Sequence, residues 1–270
     1  MNNLATRAVT ALIGISVIIG GIVYNKWTFA AVFLLIGILA LSEFYGLLKK
    51  NGTRPFSTWG IIFGLVLFAL TFANWAQALD SKYFYIIPAL LALIFVLPIL
   101  RSDQKNVISA MALSVLGVFY IIVPFCLVIP IAFLSGDFSY QLVLGILFAQ
   151  WANDTGAYFT GKTLGRTKLY EKISPKKTWE GAIGGLLIAI GVLIIFGTYF
   201  DVLNTLEWVG LAIVVSVFGT LGDLTESLFK RTLAIKDSGS TLPGHGGFLD
   251  RFDGLILALP FALAYLILIG

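Results

Sequence analysis

The sequence predicts an all-α polytopic integral membrane protein, a bundle of about nine transmembrane helices with a cytoplasmic N-terminus. Of its 270 residues, 59% are hydrophobic and only 12% are charged, whereas soluble domains have about twice that charged fraction. Apolar runs of about 20 residues recur along the whole chain, and each is long enough to cross the hydrocarbon core as a helix. The single cysteine, Cys126, excludes an intramolecular disulfide and a Cys-rich zinc site, and the single histidine, His245, disfavours a histidine-based metal centre.

The predicted spans follow one another with short connections, so the whole chain is treated as one transmembrane domain. An N-terminal bundle is expected over 1–135, and catalytic helices and cytoplasmic loops over 136–270. The fifth span is long and contains Pro124 and Pro130, which favours one tilted or kinked helix. The first span lacks a cleavage pattern and is expected to remain as a helix. The nine spans are 8–24, 28–48, 58–78, 83–100, 107–134, 140–161, 181–200, 208–229 and 253–269.

The Lys and Arg residues indicate the orientation. With a cytoplasmic N-terminus, sixteen of the eighteen basic residues fall in cytoplasmic segments, and only Lys26 and Lys82 fall outside. This is a strong positive-inside bias. The resulting basic face suits anionic headgroups and nucleotides. For the short loops 49–55 and 101–106, the favoured interpretation is that their charges only set the topology.

Ionisable residues on apolar spans are costly and point to function. On the eighth span Asp223, Glu226, Ser227 and Lys230 share one helix face by their spacing. An intrahelical pair explains Glu226 and Lys230 alone, but it leaves Asp223, about two turns from the helix end, without a partner. A functional role is therefore favoured for Asp223.

Two further carboxylate groups lie near predicted cytoplasmic helix ends. Asp154, on the sixth span beside Gln150 and Asn153, is expected at the same depth as Asp223. Asp250 and Asp253 begin the ninth span, where a helix cap needs only one of them, so the pair resembles oxygen ligands for Mg²⁺. Glu43 on the second span is expected to lie outside the site.

Two predicted cytoplasmic loops contain more charged and glycine residues than a simple connection between helices requires. The loop 162–180 is basic and includes Lys176 and Lys177, which suit either phosphates or an anionic lipid surface, and Thr178 or Ser174 is expected to cap the next helix. The loop 230–253 alternates Lys, Asp, His and Gly, and its glycines allow backbone N–H groups to approach phosphate oxygens. Neither loop contains a Walker or dinucleotide-binding glycine pattern.

The second loop carries a long signature. It reads Ser227-x2-Lys230-Arg231-x4-Lys236-Asp237-x-Gly239-x3-Pro243-x-His245-Gly246-Gly247-x2-Asp250-Arg251-x-Asp253. This run resembles the signature of the phosphatidate cytidylyltransferases, also called CDP-diacylglycerol synthases. The runs 153–158 and 174–181 resemble that family too, whereas residues 1–150 resemble it only as apolar helices.

The resemblance implies that CTP and phosphatidate give CDP-diacylglycerol and pyrophosphate at the cytoplasmic face of the cell membrane. It also implies dependence on Mg²⁺, with a second cation left open, and a homodimer; no nucleic-acid partner is expected. Membrane lipid surrounds the protein and supplies one substrate.

The resemblance also suggests residue roles. Asp223 and Asp250 are expected to ligate metal, with Asp253 and Asp154 in support. The expected phosphate-binding and pocket-lining residues are Lys176, Lys177, Lys230, Arg231, Lys236, Arg251, His245, Gly246 and Gly247, and Ser227 and Asp237 complete the predicted site.

Two alternatives remain open at this point. A CTP-dependent polyprenol kinase would act on a related lipid but transfer the γ-phosphoryl group. A secondary transporter would place its charged residues near the midplane, often within inverted repeats, and no internal repeat is found.

Overall fold

The structure, a computed structural model, describes residues 3–100, 106–233, 235, 239 and 246–270, without the side chains of residues 3–11. Most of these residues are helical. The α-helices are α1 Asn3–Tyr24, α2 Lys26–Lys50, α3 Ser57–Trp75, α4 Ile86–Ala92, α5 Val107–Gly117, α6 Val123–Ala132, α7 Gln141–Leu164, α8 Trp179–Gly197, α9 Thr205–Thr232 and α10 Leu249–Ile269. Short 3₁₀ turns cover Ser81–Tyr85, Leu93–Phe95 and Leu97–Leu100, and β1 Lys168–Tyr170 pairs antiparallel with β2 Ser174–Thr178.

Six helical segments in the described part of the chain are long and apolar enough to cross a membrane. They confirm the prediction of a multi-pass, essentially all-α membrane protein. They are α2, α3, the continuous segment Val107–Ala132, α8, α9 and α10.

The predicted fourth span is wrong as a single continuous helix. Residues 81–100 alternate between 3₁₀ turns and the short α4. Pro88 and Pro98 lie inside this stretch, and proline removes a helical hydrogen bond and clashes with the preceding turn. The helical periodicity of the apolar residues is therefore interrupted twice.

The long fifth segment is one uninterrupted helical run, in agreement with the prediction. A π-helical turn, Val118–Ile122, joins α5 to α6. Pro124 is the second residue after this turn, and its ring would clash with the carbonyl of Tyr120 in a regular α-helix. The wider π turn relieves this clash without ending the helix.

The chain forms two compact units. Unit 1 comprises residues 1–133 and 237–250, and unit 2 comprises 134–236 and 251–270. In unit 1, the buried Tyr45 hydroxyl on α2 donates to the Ser114 carbonyl on α5 at 2.5 Å. The Ser114 hydroxyl accepts from the Phe56 N–H at 2.7 Å, which fixes the start of α3.

Unit 2 is held together by close helix contacts. The Trp208 ring of α9 is fully buried and packs edge-on against Phe196 of α8, 5.2 Å between ring centroids. The Tyr265 hydroxyl of α10 donates to the Glu207 carbonyl of α9 at 3.0 Å. At the other end of this helix pair, a Cβ at Gly222 would lie only 2.6 Å from the Asp253 carbonyl oxygen.

The closest approach of α7 and α8 requires glycine. A Cβ at Gly185 would lie 2.5 Å from the Asn153 carbonyl oxygen, and a Cβ at Gly156 would lie 3.0 Å from the Gly185 Cα. Small residues at such crossings let helix backbones pack directly, which is the main source of helix association in lipid. This crossing places the polar stretch of α7 beside the beginning of α8.

We predict that Gly185→Ala lowers the unfolding free energy by about 1–3 kcal/mol, because backbone atoms cannot yield to the added methyl group. Gly191→Ala in the same helix is the matched control, since a Cβ there meets nothing within 4 Å. Thermal unfolding of both variants in detergent measures the difference. Equal midpoints for the two variants would contradict the close crossing.

Candidate functional site

The charged stripe on α9 lies within unit 2 and agrees with the predicted single face. The Ser227 hydroxyl donates to the Asp223 carboxylate at 3.3 Å. Glu226 forms an ion pair with Lys230 one turn later. The Glu226 side chain is 1% exposed and that of Lys230 is 15% exposed, so this pair is buried.

The residue that forms an ion pair with Asp223 lies outside α9. The Lys177 ammonium on β2 lies 2.5 Å from an Asp223 carboxylate oxygen, and the two side chains are 26% and 36% exposed. A partly exposed ion pair is accessible to a charged ligand. Lys176, the neighbouring residue on β2, is exposed and points to the opposite side of the strand.

The hairpin that carries Lys177 is tied to the helices on both sides. The Glu180 carboxylate of α8 accepts hydrogen bonds from the N–H groups of Arg166 and Thr167 at 3.1 Å. Thr178 caps α8 by accepting from the Gly181 N–H at 3.1 Å, as one of the two predicted caps. Arg231 donates through Nε to the Ile173 carbonyl at 3.3 Å, which links the end of α9 to the turn.

Asp154 is oriented by its own helix. The Gln150 amide donates to both Asp154 carboxylate oxygens at 3.2 Å. Gln150 is buried, and its amide lies against Gly219 of α9 and Gly254 of α10. Gln150 therefore holds Asp154 from a junction of three helices, and the neighbouring Asn153 donates to the Thr220 hydroxyl at 3.5 Å.

The described part of α10 in unit 2 contributes Arg251 and Asp253. Arg251 is exposed. The charged groups of Arg251, Lys177 and Asp223 all interact electrostatically with the Asp154 carboxylate. Asp253 lies within electrostatic reach of Asp223, Glu226 and Asp154. Asp154, Asp223 and Asp253 therefore influence one another electrostatically within unit 2.

The glycine-rich loop lies in unit 1, as far as the structure describes it. The Gly247 N–H donates to the Asp250 carboxylate at 3.1 Å, and Gly246 has the positive φ of 86° that glycine adopts readily. Glu43 of α2 accepts from the Leu249 N–H at 3.0 Å and lies close to Gly239. Lys236, Asp237 and His245 are outside the described residues.

Two residues at these groups were missed as site residues by the sequence reasoning. Glu43 was expected outside the site, yet it binds the loop beside Asp250. Gln150 was noted only as a polar neighbour, although its spacing of four from Asp154 is the signal for a contact on one helix face. Glu43 accepts a hydrogen bond from Leu249, the residue before Asp250, and Gln150 donates to Asp154 itself.

Unit 2 thus combines clustered carboxylates with cations from several elements. Within the described ranges, no group of three or more His, Cys, Asp or Glu side chains is arranged to hold a metal ion by itself. Mg²⁺ is usually bound by only one or two carboxylates plus water and substrate phosphates. The oxygen-rich, partly exposed group of Asp154, Asp223 and Asp253 has the chemistry for such shared binding.

Comparison with known proteins identifies relatives over nearly the whole chain. The profile of the Cytidylyltransferase family matches residues 5–269. A phosphatidate cytidylyltransferase of Staphylococcus haemolyticus is 34% identical over 94% of this chain and 95% of its own. Proteins of the same name from Staphylococcus aureus and Staphylococcus epidermidis are 35% and 33% identical, with the same coverage.

We predict that Lys230→Met destabilises the protein by about 3 kcal/mol, because it removes the cation from a buried carboxylate. The double variant Glu226→Met/Lys230→Met is expected to recover most of this loss, since both charges are then absent. Unfolding midpoints in detergent give the comparison. If the double variant is less stable than Lys230→Met, the buried pair is not the source of the effect.

Proposed function

The chain belongs to the cytidylyltransferase family, and we propose that it is the enzyme that transfers a cytidylyl group from CTP to phosphatidate. A phosphate oxygen of phosphatidate bonds to the α-phosphorus of CTP, the bond between the α- and β-phosphates breaks, and pyrophosphate leaves. The products are CDP-diacylglycerol and pyrophosphate, a step of phospholipid biosynthesis. The observation that carries this proposal is the similarity to phosphatidate cytidylyltransferases from one end of the chain to the other.

The geometry of unit 2 suits a reaction between two anions. The phosphate of phosphatidate is already a charged nucleophile, so it needs little help from a general base. Catalysis then depends mainly on positioning and on neutralising negative charge. Lys177 and Arg251 bring cations to the Asp154 and Asp223 carboxylates, and we assign these two residues, with Lys230 and Arg231, to phosphate binding.

Lys177 has a second role in this proposal. In its ion pair with Asp223, it keeps the carboxylate compensated before substrate arrives. A triphosphate offers Lys177 a more highly charged partner, so the ammonium can move from the carboxylate to a phosphate oxygen. The Asp223 oxygens are then available to a metal ion.

We assign Mg²⁺ binding to Asp223 and Asp253, supported by Asp154, whose orientation Gln150 fixes. When bound, Mg²⁺ would neutralise charge on the phosphates of CTP. On the basis of the signature, we also assign Asp250 to metal binding. On the same basis, we assign Lys236, Asp237 and His245 to the substrate pocket. We also propose that the site binds a second cation beside Mg²⁺.

We further propose nine membrane crossings, a cytoplasmic N-terminus and a site that faces the cytoplasm. The positive-inside bias supports this orientation. Beyond the six qualifying segments, α1 and α7 have 22 and 24 residues, and about 20 residues suffice to cross. The broken segment 81–100 would be the remaining crossing. Location in the cell membrane and assembly as a homodimer rest on the family resemblance.

The test is an assay of the purified protein with phosphatidate, Mg²⁺ and CTP labelled at either the α- or the γ-phosphate. Label from the α-position is expected in the lipid, with release of pyrophosphate. Transfer of γ-label would instead identify a lipid kinase. If folded protein transfers neither label, the lipid acceptor is wrong.

We predict that Asp223→Asn and Asp250→Asn each lower the rate of α-label transfer by at least about a hundredfold, the scale typical of losing one group that stabilises developing charge. Asp201→Asn is the control, because Asp201 is exposed between α8 and α9. Size-exclusion profiles and unfolding midpoints establish that the variants are folded. A monodisperse variant of Asp223 or Asp250 that retains near-full activity would refute its assignment.

A further inference from the structure

A basic pocket opens in unit 1 between the end of α2 and the beginning of α3. Its volume is about 290 Å³. The lining residues are Lys49, Arg54, Pro55, Ser57 and Thr58. Among these described lining residues, two are cationic, two carry hydroxyl groups and none is acidic. None belongs to the residues assigned above to CTP, phosphatidate or metal binding.

The backbone around this basic pocket is well anchored. The N–H groups of residues 51–53 donate back to carbonyls at the end of α2 at 3.0 to 3.1 Å. Gly52 permits this tight turn with a φ of 83°. On the other side, the Phe56 N–H donates to the buried Ser114 hydroxyl at 2.7 Å. A pocket with fixed walls loses little entropy when it binds a ligand.

The start of α3 adds to the attraction for an anion. Ser57 and Thr58 are its first two residues, and the preceding Phe56 provides no side-chain cap. The first-turn N–H groups of a helix carry a partial positive charge and favour negative ligands. Lys49 and Arg54 contribute full charges beside this helix end, so the attraction does not depend on the helix dipole alone.

The position of the pocket relative to the membrane indicates the source of the anion. Both α2 and α3 are long and apolar enough to cross a membrane, and only residues 51–56 connect them. Both helix ends must therefore emerge on the same side, at the interface where lipid phosphates lie. Lys and Arg at this level interact favourably with anionic headgroups.

We propose that the basic pocket binds the phosphate of an anionic phospholipid. Arg54 and Lys49 pair with the phosphate oxygens, and the Thr58 hydroxyl donates to them. The Ser57 hydroxyl donates to the Pro55 carbonyl at 3.4 Å and lines the same opening. The charges of this loop were interpreted from the sequence as a topology signal only. The structure separates them, because Lys49 and Arg54 line the pocket whereas the adjacent Lys50 does not.

The test uses the full-length protein in a nonionic detergent without added phospholipid. Short-chain phosphatidylglycerol is titrated by calorimetry, with inorganic phosphate as the second probe. Phosphatidylglycerol carries a lipid phosphate but is not a substrate of the proposed transfer reaction, so a failure here leaves the proposed function untouched. We expect saturable binding of the lipid and much weaker binding of inorganic phosphate.

Three variants locate the binding. Lys49→Gln is expected to weaken lipid binding about tenfold, the scale of one charge-assisted hydrogen bond. Lys50→Gln removes the same charge from the adjacent residue and is expected to leave the affinity unchanged. Thr58→Val keeps every charge and removes one hydroxyl of the pocket, and a measurable loss of affinity is expected.

Two results would overturn the proposal. Equal weakening by Lys49→Gln and Lys50→Gln, with no effect of Thr58→Val, would show a diffuse attraction between a basic surface and the lipid. Displacement of the lipid by inorganic phosphate at equal concentration would show a site for a soluble anion. Unfolding midpoints without lipid verify that each variant is folded.

Discussion

Charged side chains on apolar helices must be compensated by nearby protein groups, and this constraint organises unit 2. Lipid offers no partner for a carboxylate, so an uncompensated charge would prevent a helix from entering the bilayer. Glu226 is compensated by Lys230 within α9, and Asp223 by Lys177 from the hairpin. The first pair is buried, whereas the second is partly exposed to solvent.

Meeting this constraint requires helices that approach one another very closely. The crossing of α7 and α8 at Gly185 brings their backbones into contact and leaves Asn153 beside α8. The contact of α9 and α10 at Gly222 does the same for Asp253. Small residues at both crossings hold the carboxylate-bearing positions within electrostatic reach of one another. The positions of these polar side chains therefore depend on glycines that have no side-chain chemistry of their own.

Local sequence patterns predicted most of the secondary structure. They failed for residues 81–100 and for the hairpin between α7 and α8. Apolar run lengths located the long helices, and the threonine before α8 was a recognisable cap. Residues 81–100 are equally apolar, yet Pro88 and Pro98 break the helix that hydropathy suggests. The hairpin between α7 and α8 was expected only as a basic cytoplasmic loop, because strands of three and five residues have too little periodicity to detect.

The sequence by itself determined the membrane class, the family and the carboxylates on α9, because run length, residue spacing and a long signature are properties of the chain as written. Only the tertiary structure decided that Lys177 pairs with Asp223, that Glu43 binds the N-terminal turn of α10, and that Lys49 and Arg54 share a pocket. These contacts join segments whose approach depends on helix packing. Spacing along one helix defines which residues share a face, but it carries no information about what that face meets.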